Sequence, residues 1–266
     1  MTVDQGLDSE YRPHIPEREA ILARWAREAS AYRERWPFTS ISYGGSPRQV
    51  IELFEPAHCA PRIVVFAHGG YWQQWEPGMF SHVARALNER DVAVALVGYD
   101  LCPSVRLATI VAQLREAYLA LRASRRRRLV GVGHSAGGHL TACMLATAWS
   151  EPGLVEAGVT LSGVFDLAPL VATTINDKLG LDAAEARRWS PLHERPIHGC
   201  TLDAFVGACE SASFHEQSRA LQRAWAEQGI GSTYRVIPGA NHLTIVDELA
   251  RIDSPIVERL ATLAND

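Results

Sequence analysis

Gly133-His134-Ser135-Ala136-Gly137 sets a serine between two glycines, directly after the apolar run Leu129-Val130-Gly131-Val132 and before AGGHLTACMLATAW, which reads as a helix. A serine in a sharp strand-to-helix turn offers its hydroxyl as a nucleophile, and small neighbours permit the close approach that the turn demands. The helix N-terminus then favours negative charge beside it. A hydroxyl is a weak nucleophile without a base, and in this arrangement the base comes late in the chain, after an acid. His242, in Pro238-Gly239-Ala240-Asn241-His242 after the strand-like YRVI, fits that position. Of the other histidines, His134 flanks the serine and is read as pointing elsewhere. His139 lies on the following helix, and His193, His198 and His215 precede the last strand. The acid is Glu210, in Gly207-Ala208-Cys209-Glu210-Ser211, or its rival Asp166, which ends Gly163-Val164-Phe165-Asp166. Either carboxylate would orient the imidazole. A glutamate, one methylene longer than an aspartate, serves only if its loop lies further back.

Acyl transfer also needs hydrogen-bond donors for the developing oxyanion. His68-Gly69-Gly70-Tyr71-Trp72 follows the strand-like IVVFA, and its glycines let backbone N–H groups face a substrate oxygen. The candidate donors are the amides of Gly70 and Ala136, with Gly69 close behind, while His68 braces the loop. Tyr71 and Trp72 are the candidate substrate contacts; Trp75 and Phe80 extend them into an aromatic wall, with Trp189 and Phe214 as lid contributors. This chemistry requires no metal and no cofactor.

Positioning such groups takes a sheet. SISYGG, RQVIELFEP, IVVFAHGG, VAVALVGYD, LVGVGHS, AGVTLSGVFD, TLDAFVGA and TYRVIPGA are each β-rich and bounded by turn residues, with helix-like stretches between them. Several are apolar almost throughout, as a parallel sheet covered on both faces requires. The expectation is an α/β fold, a three-layer α/β/α sandwich around a mostly parallel sheet, with the site beyond the carboxyl ends of the strands. Before the strands, Ile21, Leu22, Trp25, Ala29 and Tyr32 recur at helical spacing, which predicts an N-terminal amphipathic helix over about 16–35.

With 266 residues and no Gly/Ser- or Pro-rich linker, residues 1–266 read as one domain. A net charge of -4 argues against a nucleic-acid partner, and the basic run Arg125 to Arg128 reads as a solvated helix end. Five scattered cysteines without a CxxC pair suit a reducing compartment. The charged opening MTVDQGLDSEYRPHIPERE lacks the apolar core of a signal peptide, and no run is long enough to span a bilayer. A cytoplasmic protein acting on a small molecule, without a membrane partner, is expected; a homodimer is compatible with these features.

The chain resembles the α/β-hydrolase superfamily and, within it, the kynurenine formamidase (arylformamidase) group. The likeness rests on HGGYW at 68–72, GHSAGGHL at 133–140, LSGVFDLAPL at 161–170, NDKLGLDAAEARRWSPL at 176–192, Leu7-Asp8-Ser9-Glu10-Tyr11 and VGACESASFHEQS at 206–218. It covers nearly the whole chain. In that group an aspartate usually stands where this chain has Glu210. The resemblance implies hydrolysis of an N-formyl aryl amide, most specifically N-formylkynurenine to kynurenine and formate, through an acyl-enzyme on Ser135. A carboxylesterase for small acyl or aryl esters uses the same groups, and a non-catalytic binding protein on a hydrolase scaffold is the alternative of a different class. The scaffold reading expects the serine, the histidine or the glycine loop to be lost, and all three are present.

Overall fold

A computed structural model of the chain describes residues 3–266. The eight β-rich runs become eight strands of one sheet: β1 Thr39–Ser42, β2 Val50–Phe54, β3 Arg62–Ala67, β4 Ala93–Val97, β5 Arg128–His134, β6 Val155–Leu161, β7 Thr201–Gly207 and β8 Gly231–Ile237. Their order is β1-β2-β4-β3-β5-β6-β7-β8. Only β1 with β2 and β2 with β4 pair antiparallel; from β4 to β8 the sheet is parallel. The α-helices are α1 Gln5–Tyr11, α2 Arg18–Arg35, α3 Arg85–Asn88, α4 Leu107–Arg125, α5 Ala136–Leu145, α6 Asn176–Leu179, α7 Ala183–Arg188, α8 Ala212–Ala226 and α9 Pro255–Asn265.

Alternation along the strands sorts the core into two layers. Ile63, Val65 and Ala67 of β3 face one side, packing with Leu114 of α4, Leu140 of α5 and Leu221 of α8. Val64 and Phe66 face the other, with Trp25 of α2, Leu87 of α3 and Leu260 of α9. Successive strand residues point to opposite faces, so a sheet covered on both sides must be apolar at every position. The three-layer α/β/α architecture follows.

The amphipathic helix read from residue 16 begins at Arg18, and α1 precedes it. Seven residues form a poor helix alone; α1 is held by Asp4, which caps the Gly6 and Leu7 amides, and by Asp8, which accepts from the Thr174 amide and hydroxyl. In the basic run, Arg125 ends α4, Arg126 is its left-handed cap at φ 55°, and Arg128 opens β5. Arg125 reaches Glu55 at 3.0 Å.

Trp25 anchors α2. It is fully buried, contacts Phe80 and Trp75, and its indole N–H donates to Asp247 at 2.7 Å. Trp25→Ala removes that packing and leaves Asp247 short of a donor. It is expected to cost about 3–5 kcal/mol in denaturant unfolding; a loss below about 1 kcal/mol would mean that α2 does not depend on this anchor.

Candidate active site

The turn after β5 decides the geometry. Ser135 has φ 55° and ψ −117°, a left-handed backbone that L residues rarely adopt. A Cβ on Gly133 would run into the backbone of Gly137, and one on Gly137 into the carbonyl of Ala67. Glycine is therefore required at both positions, because α5 leaves the sheet too tightly for side chains between them. The Ser135 amide donates to Leu161 on β6 at 2.8 Å, which ties the turn to the neighbouring strand.

Three loops beyond the carboxyl ends of the strands then converge. The Ser135 hydroxyl donates to His242 Nε2 at 3.1 Å, and His242 Nδ1 donates to Glu210 Oε2 at 2.7 Å. Ser135 and His242 are 4% and 6% exposed, so the relay lies almost wholly out of water. Glu210 Oε1 accepts from the Gly207 amide at 2.6 Å and from the Ser162 hydroxyl. The rival Asp166 is engaged elsewhere. Its carboxylate accepts from the Ala168 amide at 3.0 Å and has no recorded contact with His242. Phe214, at the start of α8, stacks on the His242 ring at 4.1 Å.

The HGG loop lies against this relay. His68 Nδ1 donates to the Gly69 carbonyl at 2.8 Å, and the Tyr99 hydroxyl donates to the His68 carbonyl at 2.6 Å. A trans peptide is planar, so clamping the Gly69 carbonyl also aims the Gly70 N–H the opposite way. Gly70 has φ 99°, and a Cβ on it would lie 2.7 Å from the Gln74 carbonyl oxygen. A Cβ on Gly69 would lie 3.1 Å from that of Ser135. Among the described residues, the amides of Gly69, Gly70 and Ala136 have no recorded acceptor.

His134 differs from its reading. It does not point away from the site: its Nε2 donates to the main-chain carbonyl of His242 at 2.7 Å, with the two rings 4.8 Å apart. Periodicity carried no signal for this, because the contact joins residues 108 apart in the chain. Burial, and then the charge of His242, hold the His134 pKa well below the usual range, so the ring beside the relay stays neutral. Burial likewise lowers His68, His82 and His139 to about 4.

Two small cavities touch Ser135. One, of about 10 Å³, is lined by Tyr11, Tyr71, Trp72, Ala136, Val164, Leu170, Ile175 and Phe214 as well as the serine. The other, of about 40 Å³, lies between His134, His242, Gly70, Tyr71, Trp75 and the N-terminal residues Pro13, Ile15 and Arg18. Tyr71, Trp72, Trp75 and Phe214 thus line the site. Tyr11 joins them, held by Gln217, which donates to its hydroxyl at 2.8 Å. Two expected aromatics do not. Phe80 is fully buried behind the loop, stacked on His68, because the 3₁₀ turn carrying it packs against α2. Trp189 lines a separate groove with Arg115 and Cys143, its carbonyl held by His139.

Two outcomes follow. Ser135→Ala is expected to keep the fold and abolish turnover, with labelling by a fluorophosphonate lost in parallel; near-wild-type kinetics would remove the nucleophile assignment. The neutral buried histidines make stability depend on pH. Their folded pKa values lie below the unfolded value of about 6.5, so the unfolded chain takes up protons first as pH falls. The contribution is whole above about 6.5 and is lost down to about 4, at up to about 1.4 kcal/mol per histidine per pH unit. Thermal melts at constant ionic strength should fall steadily across that window, whereas a flat Tm from pH 7 to pH 4.5 would show these rings to be charged in the fold.

Residues 64–246 match the family described as alpha/beta hydrolase fold. Over 231 residues the chain is 30% identical to kynurenine formamidase of Drosophila melanogaster, covering 80% of this chain and 77% of that protein. It is 27% identical over 234 residues to kynurenine formamidase of Salmo salar, covering 83% and 80%. Among solved structures, one from Silicibacter sp. TM1040, provisionally named a thioesterase, superposes with a TM-score of 0.88 at 30% identity over 96% of this chain and 98% of that one.

Proposed function

The chain is a hydrolase of the alpha/beta hydrolase fold family, in the group of the kynurenine formamidases, and from this premise we propose that it cleaves an N-formyl aryl amide, N-formylkynurenine foremost, to the aryl amine and formate. The observation that carries this reading is a serine relay with the aromatic side chains of Tyr11, Tyr71, Trp72 and Phe214 lining the space beside the serine. Such a wall suits a flat aryl group, and the formyl carbon brings nothing larger than hydrogen to the acyl side.

In the proposed mechanism Ser135 Oγ attacks the formyl carbon while His242 Nε2 takes its proton. Glu210, hydrogen-bonded to Nδ1, fixes the tautomer and stabilises the imidazolium. The carbonyl oxygen becomes an oxyanion facing the amides of Gly70 and Ala136, with Gly69 adjacent. As the tetrahedral centre collapses, the C–N bond breaks and His242 protonates the leaving amine, which leaves a formyl ester on Ser135. Water activated by His242 then attacks that ester, releasing formate and restoring the serine. Tyr71 and Trp72 are assigned to the aryl ring. We also take residues 1–266 as one domain and the cytoplasm as its location; among the described residues no helix is long and apolar enough to cross a membrane.

The second reading, a small-acyl carboxylesterase, uses the same groups, and the relative provisionally named a thioesterase favours testing it. Specificity constants measured across formyl, acetyl, butyryl and longer acyl groups on one aryl amine and one phenol separate the two. The formamidase reading expects a steep fall beyond acetyl, because a bulkier acyl group displaces the carbonyl oxygen from its donors, and losing one such donor costs about a hundred- to a thousandfold. Good ester hydrolysis without cleavage of any N-formyl aryl amide would leave the esterase.

A further inference from the structure

The acid of the relay is a glutamate, one methylene longer than an aspartate, and its longer side chain needs more to hold it in place. Resting on that relay, we propose that Ser162 is a positioning residue that makes Glu210 a competent acid, by anchoring the carboxylate oxygen that does not face His242. Glu210 sits in a turn closing β7, where its own amide donates to the Gly207 carbonyl at 3.2 Å. Its side chain curls back so that Oε1 takes the Gly207 amide at 2.6 Å. The Ser162 hydroxyl donates to the same Oε1 from the end of β6, the strand next to β7, so that two donors from two strands hold Oε1 while Oε2 lies 2.7 Å from His242 Nδ1.

The backbone of Ser162 points the same way. It has φ 52°, a left-handed conformation that glycine adopts without strain, and the next residue is a glycine. A buried non-glycine residue held there is an outlier whose side chain needs a reason. The reason is visible: Ser162 is fully buried, its amide donates to Phe205 on β7 at 2.8 Å, and its hydroxyl has the Glu210 carboxylate as its recorded partner.

The test is a double-mutant cycle in the full chain, using whichever aryl formamide or aryl acetate the wild-type protein turns over fastest. Ser162→Ala and Ser162→Gly, the second free of backbone strain, are expected to lower kcat about ten- to a hundredfold with KM within about threefold, and with fluorophosphonate labelling stoichiometry unchanged. In a Glu210→Gln background, where the carboxylate is already gone, Ser162→Ala should change kcat by less than about threefold. A wild-type kcat for both Ser162 variants, or a full multiplicative loss in the double variant, would overturn the proposal. A wild-type kcat for Glu210→Gln would instead remove the relay reading on which it stands.

Discussion

The left-handed turn at Ser135 is the constraint on which the rest of the site depends. Holding one L residue in that conformation costs on the order of 1–2 kcal/mol, and the surrounding structure is arranged to maintain it. Gly133 and Gly137 clear the space, the Ser135 amide is fastened to Leu161, and α5 starts at once at Ala136. Because Gly137 lies against the carbonyl of Ala67, the turn also fixes how closely β3 approaches, and with it the HGG loop that continues β3.

What the sequence discloses follows from the range of each interaction. The strands were legible because each is a short β-rich run closed by turn residues. Ser135 was legible because the glycines on either side of it are those that a tight strand-to-helix turn demands, Gly69 and Gly70 because they follow a strand as a glycine pair, and His242 because it follows the last strand. Glu210 was read as the acid, but Asp166 stayed open as its rival: both lie in loops that follow neighbouring strands, and only loop conformation sends one to His242 while the other satisfies the Ala168 amide. The same limit hid α1, a helix too short to announce itself and held by Thr174. His134 and Ser162 were missed because their partners lie on other strands' loops. Phe80 was misjudged because an aromatic close in sequence to Trp72 faces the opposite layer of the sheet.

His242 is held from three directions: Glu210 fixes Nδ1, His134 fixes the main-chain carbonyl, and Phe214 covers one face of the ring. Each removes a different freedom, respectively rotation, translation and tilt. The neutrality of His134 matters to the proposed mechanism, because a second cation 4.8 Å from His242 would oppose the imidazolium that the proposed proton transfer requires.

Tyr11 lines one of the small spaces beside Ser135, and Pro13, Ile15 and Arg18 line the other. The segment 11–18 thus borders the approach to the serine, and where it rests sets the width of that approach. Its position is held by contacts such as the Gln217 amide on the Tyr11 hydroxyl and the Glu10 carboxylate on the Ser213 amide, which sit on the helix that begins two residues beyond Glu210. Substitutions on the face of α8 that carries these contacts would therefore be felt at the mouth of the site as well as at the acid.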